Sequence, residues 1–162
     1  MSQYDVVLHA TDFSKDADQA FSVACAIARD HFATLVVVHV VPPETPLDCD
    51  SNSNILVGDQ ATVAPYRQQF ERLRQIADGI PISFRLVKGY PIGTILNVAH
   101  EESADVIVIA SEFNEGQAFQ LHSGIAEGVL RQAHCPVCCF RLPTSQLSPN
   151  TRRAARCNTL LN

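Results

Sequence analysis

The sequence predicts an α/β fold, a three-layer sandwich built on a five-stranded, mainly parallel, doubly wound sheet. Three observations carry that prediction. Val6-Val7-Leu8, Leu35-Val36-Val37-Val38 and Val106-Ile107-Val108-Ile109 are apolar runs with no polar alternation, so each reads as a strand covered on both faces. Segments with one apolar helical face separate them. The alternation continues to five strands and four helices, the order in which helices cover both faces of a parallel sheet.

The first strand spans 5–10 and ends in the polar turn Thr11-Asp12-Phe13-Ser14. Ser14 is placed to cap the first helix, Asp16 and Asp18 suit its positive end, and Ala17, Ala20, Phe21, Ala24, Ile27 and Ala28 form its buried face. The second strand is 34–41. From Pro42 to about Thr62 the composition turns to Pro, Asp, Asn and Ser, including Glu44, Asp48, Asp50 and Asp59, which predicts a long loop. Pro65 is read near a helix start, followed by Tyr66, Phe70, Leu73 and Ala77 at helical spacing, with Asp78-Gly79 as the stop. Ile82, Phe84 and Leu86 then alternate with Ser83 and Arg85, the mark of a half-exposed strand at a sheet edge. Pro91 opens the third helix, whose stripe is Ile92, Ile95, Leu96 and Ala99.

The stretch 104–142 organises the rest. It holds a buried strand, a loop, a helix with Ile125, Ala126, Val129, Leu130 and Ala133 at one-face spacing, and a final strand over 136–142. In parallel sheets ligands bind beyond the carboxyl ends of strands, with anions at helix N-termini. The segment 110–125 falls at that place.

The 162 residues and 46% hydrophobic content suit one core, assigned to a domain over 1–143 with a polar, flexible extension over 144–162. A net charge of −5 argues against a nucleic-acid surface, which needs clustered Lys and Arg. No apolar run approaches the ~20 residues of a membrane span, and no signal segment is read, so a cytoplasmic protein with no membrane partner is expected. The six cysteines are expected to be reduced thiols.

An ordered set of motifs then resembles the universal stress protein family over 5–142. Its members begin with a strand running into a turn like Ala10-Thr11-Asp12-Phe13-Ser14. A second strand follows that ends as in His39-Val40, then a turn like Val87-Lys88-Gly89-Tyr90-Pro91 and an Ala-Asp-apolar strand like 104–109. They close with a helix and Cys-Pro-Val stretch like 129–137. The resemblance implies an adenine nucleotide alpha hydrolase-like fold, a homodimer joined through the last strand, and a stress or regulatory role without catalysis. It also implies a nucleotide site: Asp12 and Val40 at the base and ribose, with Ala10 beside them, and Ala110, Ser123, Gly124 and Ile125 at the phosphates, with Ile109 adjoining.

The ATP-binding branch of the family carries glycines in this last loop, where they let backbone N–H groups approach phosphates. Their positions fall here on Ala110, Phe113 and Ser123, and the hydroxyl position on Gly124. Gly116 and the reversed pair Ser123-Gly124 are what remains. The degraded pattern weighs against phosphate-tight ATP binding and leaves an adenine-nucleotide sensor or slow ATP hydrolase as the alternative reading.

Other signals read as scaffold. Asp12 has a simpler use in bonding its own turn toward Ser14. Cys135-Pro136-Val137-Cys138 has redox-motif spacing but leaves a helix instead of opening one, and Cys138 and Cys139 point to opposite faces, which also weakens a zinc site with His134. His9 and His39 read as hydrogen-bonded strand residues, and Arg131 as a solvated one. Ser111 and Ser123 lack a His-Asp set that spacing can attach to them, so catalysis is not expected.

Overall fold

The computed structural model describes residues 4–43, 60–111 and 124–140. Within them run β1 (Val6–Ala10), α1 (Lys15–His31), β2 (Thr34–Val41), α2 (Gln60–Ile76), β3 (Ile82–Lys88), α3 (Pro91–Glu101), β4 (Val106–Ala110), α4 (Ile125–Gln132) and β5 (Val137–Phe140). Every strand pair is parallel, in the order β3-β2-β1-β4-β5. The chain moves outward from β1 through β2 to β3, then returns to β4 and β5 on the other side, so the order reverses between β1 and β4.

The unbroken apolar runs are explained by the two layers they face. Val7, Leu35, Val37, Val106 and Val108 pack with Phe21 and Ala24 of α1 and Leu73 of α2. Their neighbours Leu8, Val36, Val38, Ile107 and Ile109 pack with Val98 of α3 and Val129 of α4 on the opposite face. Period-two alternation thus feeds two cores, each lined almost wholly by apolar side chains.

Local chemistry sets the helix ends. Ser14 Oγ accepts the Ala17 N–H at 3.2 Å and Pro91 takes the first turn of α3. Arg72 forks onto Asp18 at 2.8 and 2.9 Å, fastening α2 to α1. The pair is partly exposed and contributes about 1 kcal/mol or less, so it orients more than it stabilises. Gly128 allows α4 to approach α3, since a Cβ there would lie 2.4 Å from Ile92 Cδ1. As its alternation predicts, β3 lies at an edge, with Arg85 bonded to Glu101 at 2.9 Å and to Glu102.

Two expectations need correction. The expected loop to Thr62 and helix start at Pro65 give way to a helix that begins at Gln60 and carries Pro65 inside it. Pro65 is exposed and sits early in the helix, where its missing N–H removes a single bond. The apolar stripe of α4 is only half used: Ala126 and Val129 are buried, but Ile125 is 46% and Leu130 53% exposed. That helix packs on α3 and on the edge strand β5, so nothing in the described sheet lies beyond it to cover the rest of the stripe. The 44–59 part of the loop, Phe113, Gly116, Ser123 and the 144–162 extension lie outside the described residues.

Candidate functional site

The carboxyl end of β1 is built by four short hydrogen bonds. The Thr11 N–H extends the β1–β2 ladder by donating to the Val38 carbonyl at 2.9 Å. Thr11 Oγ1 then accepts the Phe13 N–H at 3.0 Å, Asp12 Oδ1 accepts the Ser14 N–H at 2.9 Å, and Ser14 caps α1. Such side-chain bonds to backbone two residues ahead define the turn without help from glycine. Phe13 completes it in the left-handed region, at φ 63°. The simpler role foreseen for Asp12 is therefore present, and the exposed carboxylate stays at the strand end.

His39 fixes this turn from β2. Its Nδ1 donates to the Thr11 carbonyl at 2.7 Å, which sets the tautomer, and its ring lies against Phe13 at 4.6 Å and Tyr66 at 4.8 Å between centroids. Burial lowers its pKa, offset by that bond and by Asp12. The scaffold reading of His39 holds; the aromatic bridge from the turn to α2 was not visible in the sequence, because Phe13 and Tyr66 lie far apart along the chain. His9 is also scaffold: wholly buried, it donates from Nδ1 to the Val108 carbonyl at 3.0 Å, and burial pushes its pKa down to about 4. Its Nε2 has no partner among the described residues.

Across the switch point the register sets Ala10 beside Ile109, with Ala110 one residue further and the Ser111 N–H donating to the Phe140 carbonyl at 2.8 Å. Ala10 and Ile109 are buried in the same cluster as Ala126, the residue after Ile125, and Val40 packs half-buried at its margin. The structure therefore sets Ala10 beside Ile109 at the switch point, with Val40 at the margin of the same core layer on β2 and Ala110 one residue on, against the opposite layer. Gly124 is the exposed N-cap of α4 and offers no capping side chain. Small residues at 10, 110 and 124 leave room where strand ends and a helix N-terminus present backbone groups, an arrangement suited to a flat base and an anion.

The other candidates separate cleanly. Arg131 is exposed and bonded to Glu127 at 2.6 Å, as a solvated residue should be. Cys135, Cys138 and Cys139 are free thiols, and burial raises the pKa of Cys135 and Cys139 above the ordinary range. Among the described residues no group of three or more His, Cys, Asp or Glu could hold a metal, and no helix is long and apolar enough to cross a membrane.

A family model described as the universal stress protein family matches residues 3–141. The chain belongs to the universal stress protein family. A universal stress protein of Methanocaldococcus jannaschii is 23% identical over 145 residues, covering 88% of this chain and 85% of the relative. Among solved structures, a universal stress protein from Lactobacillus plantarum superposes with a TM-score of 0.68 at 22% identity, covering 87% of this chain and all of that one. One solved in complex with cAMP gives 0.67 at 22% identity over 89% of this chain and 100% of its own. Another, from Archaeoglobus fulgidus in complex with dAMP, gives 0.61 at 20% identity over 86% and 99%. These likenesses establish the α/β fold of this universal stress protein.

Proposed function

We propose that this chain is a non-enzymatic, cytoplasmic module of a stress response or regulatory system, working as a dimer joined through β5. The observation that carries the reading is the state of that strand. Among the described residues β5 ends the sheet, and it holds no charge, with Val137, Cys138 and Phe140 half-buried and Cys139 exposed. Leu130 on α4, the helix that packs on β5, is also exposed. An uncovered apolar edge is an association hazard, and a second copy related by a two-fold axis would satisfy its backbone groups and close the assembly. The non-enzymatic part is supported by His9 on β1 and His39 on β2, which both donate to backbone carbonyls and have pKa values lowered by burial. Light scattering at micromolar concentration in reductant should report twice the chain mass. A monomer there overturns the dimer; a deletion strain indifferent to starvation and oxidant overturns the role.

A second reading, an adenine-nucleotide sensor or slow ATP hydrolase, is favoured by Ala10 and Ala110 flanking the switch point and by the two relatives solved with cAMP and dAMP. Asp12 and Val40 would meet base and ribose, and Ala110, Ser123, Gly124 and Ile125 the phosphate end, with Ala10 and Ile109 adjoining. Calorimetry with cAMP, dAMP and ATP with Mg²⁺ decides it. Submillimolar binding supports the reading, and no heat with any of the three ends it.

A further inference from the structure

We propose that Cys138 and Cys139 form an oxidant-sensitive cross-linking site between two copies of this chain, closed to a disulfide by hydroperoxide. The inference rests on the β5 dimer proposed above and adds a covalent chemistry to it. Positions equidistant from a two-fold axis oppose each other in an antiparallel pair. A two-fold axis normal to the sheet keeps each side chain on its own face, so opposed positions share their parity and the axis passes through a residue; on the strand Val137–Phe140 an axis near the centre passes Cys138 or Cys139. These two registers set Cys138 opposite its copy or Cys139 opposite its copy. Each of them places one thiol across from its own copy. Opposed residues share a face with Cα atoms about 4.5–5.5 Å apart, inside the range of about 4.4–6.8 Å that a disulfide spans.

Within one chain the two thiols have no such match. They are neighbours on a strand and point to opposite faces, and both are free. Cys25 is a poor competitor, held on the buried face of α1 with its pKa pushed up to about 11.

The chemistry balances with peroxide as the oxidant. One thiolate attacks a peroxide oxygen, the O–O bond breaks, and a sulfenic acid and hydroxide form, the hydroxide leaving as water. The facing thiol attacks the sulfenic sulfur, the S–O bond breaks, and the S–S bond forms as a second water leaves. Each sulfur loses one electron and each peroxide oxygen gains one. Burial and the adjacent Cys138 raise the Cys139 pKa, so thiolate is scarce near neutral pH and the link forms slowly.

The test uses the full chain, treated with hydrogen peroxide and run on non-reducing gels, beside light scattering in reductant. The expected result is a covalent dimer that reductant abolishes. It should be lost completely when Cys138→Ser and Cys139→Ser are combined, while that variant still scatters as a dimer. It should survive when Cys25, Cys49, Cys135 and Cys157 are all replaced by serine. Because replacing buried Cys25 can unfold the chain, mass spectrometry of the wild-type cross-link, with Cys135→Ser to remove ambiguity, gives an independent assignment to 138 and 139. A covalent dimer that persists in the double variant, or a disulfide found within one chain, overturns the site and leaves the dimer standing. A chain that is monomeric in reductant overturns both.

Discussion

His9 is expected to lower the stability of the fold in acid. Its folded-state pKa of about 4 lies below the ordinary 6.5, with burial as the main cause, opposed by the bond to Val108 and by Asp12 and Asp18. Below pH 6.5 the unfolded chain therefore takes up a proton that the folded chain refuses, so stability is full above that pH and falls as the pH drops toward 4, by on the order of 3 kcal/mol. In His9→Gln, urea melts across this window should show a shallower fall, whatever the absolute stability. An unchanged slope would remove His9 as the cause. His39 acts in the same direction, because its pKa is also lowered by burial. Phe32 offers a gain instead. It closes α1 in the left-handed region at φ 54°, and its side chain is 91% exposed, so the ring contributes no burial to offset that conformation. Phe32→Gly should raise stability by about 1 kcal/mol, read as a higher thermal midpoint. A lower midpoint would show that the ring has a role the exposed position conceals.

At the scale of elements, the contact between α3 and α4 depends on one missing side chain. Gly128→Val would drive its methyls into Ile92, whose Cδ1 and Cγ1 stand 2.4 and 3.0 Å from an ideal Cβ, and should cost about 1–3 kcal/mol. Adding Ile92→Ala should recover part of that loss, and a double-mutant cycle without coupling would separate the two helices' fates. The strands and most helix limits were legible because one physical signal decided each. Apolar runs marked covered strands, Ser14 and Pro91 marked helix starts, and the alternation around Ser83 and Arg85 marked an edge. α2 was misjudged at its start because Pro65 carries the signal of a first turn, while nothing in Gln60 to Ala64 competes with it locally. Half the α4 stripe misled for a tertiary reason: Ile125 and Leu130 have helical spacing, but the sheet ends at β5. The switch point was legible only by position, since strand ends and small residues show in sequence. The bond from His39 to the Thr11 carbonyl and the packing of Phe13 on Tyr66 join residues that only the fold brings together.

For the whole molecule the open question is which edge of the sheet associates, since β3 and β5 both end it. β3 is protected in the usual manner of edge strands: Ser83 is exposed, Arg85 is held by Glu101 and Glu102, and Lys88 stands at its end. β5 has no charge at any position and no fully buried residue. Pairing at β5 would join two sheets into one of ten strands, while pairing at β3 would bring charged side chains of like sign together. A proline removes a backbone donor and disfavours strand pairing, so Cys139→Pro, whose N–H faces away from β4, should convert the dimer to monomer, while Lys88→Pro, whose N–H faces away from β2, leaves it dimeric. Both variants need a folded check by circular dichroism, because each proline can also weaken its own strand. The competing arrangement has the 144–162 extension covering β5 within one chain. Deleting that extension should then create a dimer from a monomer, whereas the β5 dimer predicts no change in mass per particle beyond the residues removed. Dissociation by Lys88→Pro but not by Cys139→Pro would move the interface to the opposite edge and leave the apolar face of β5 without a partner.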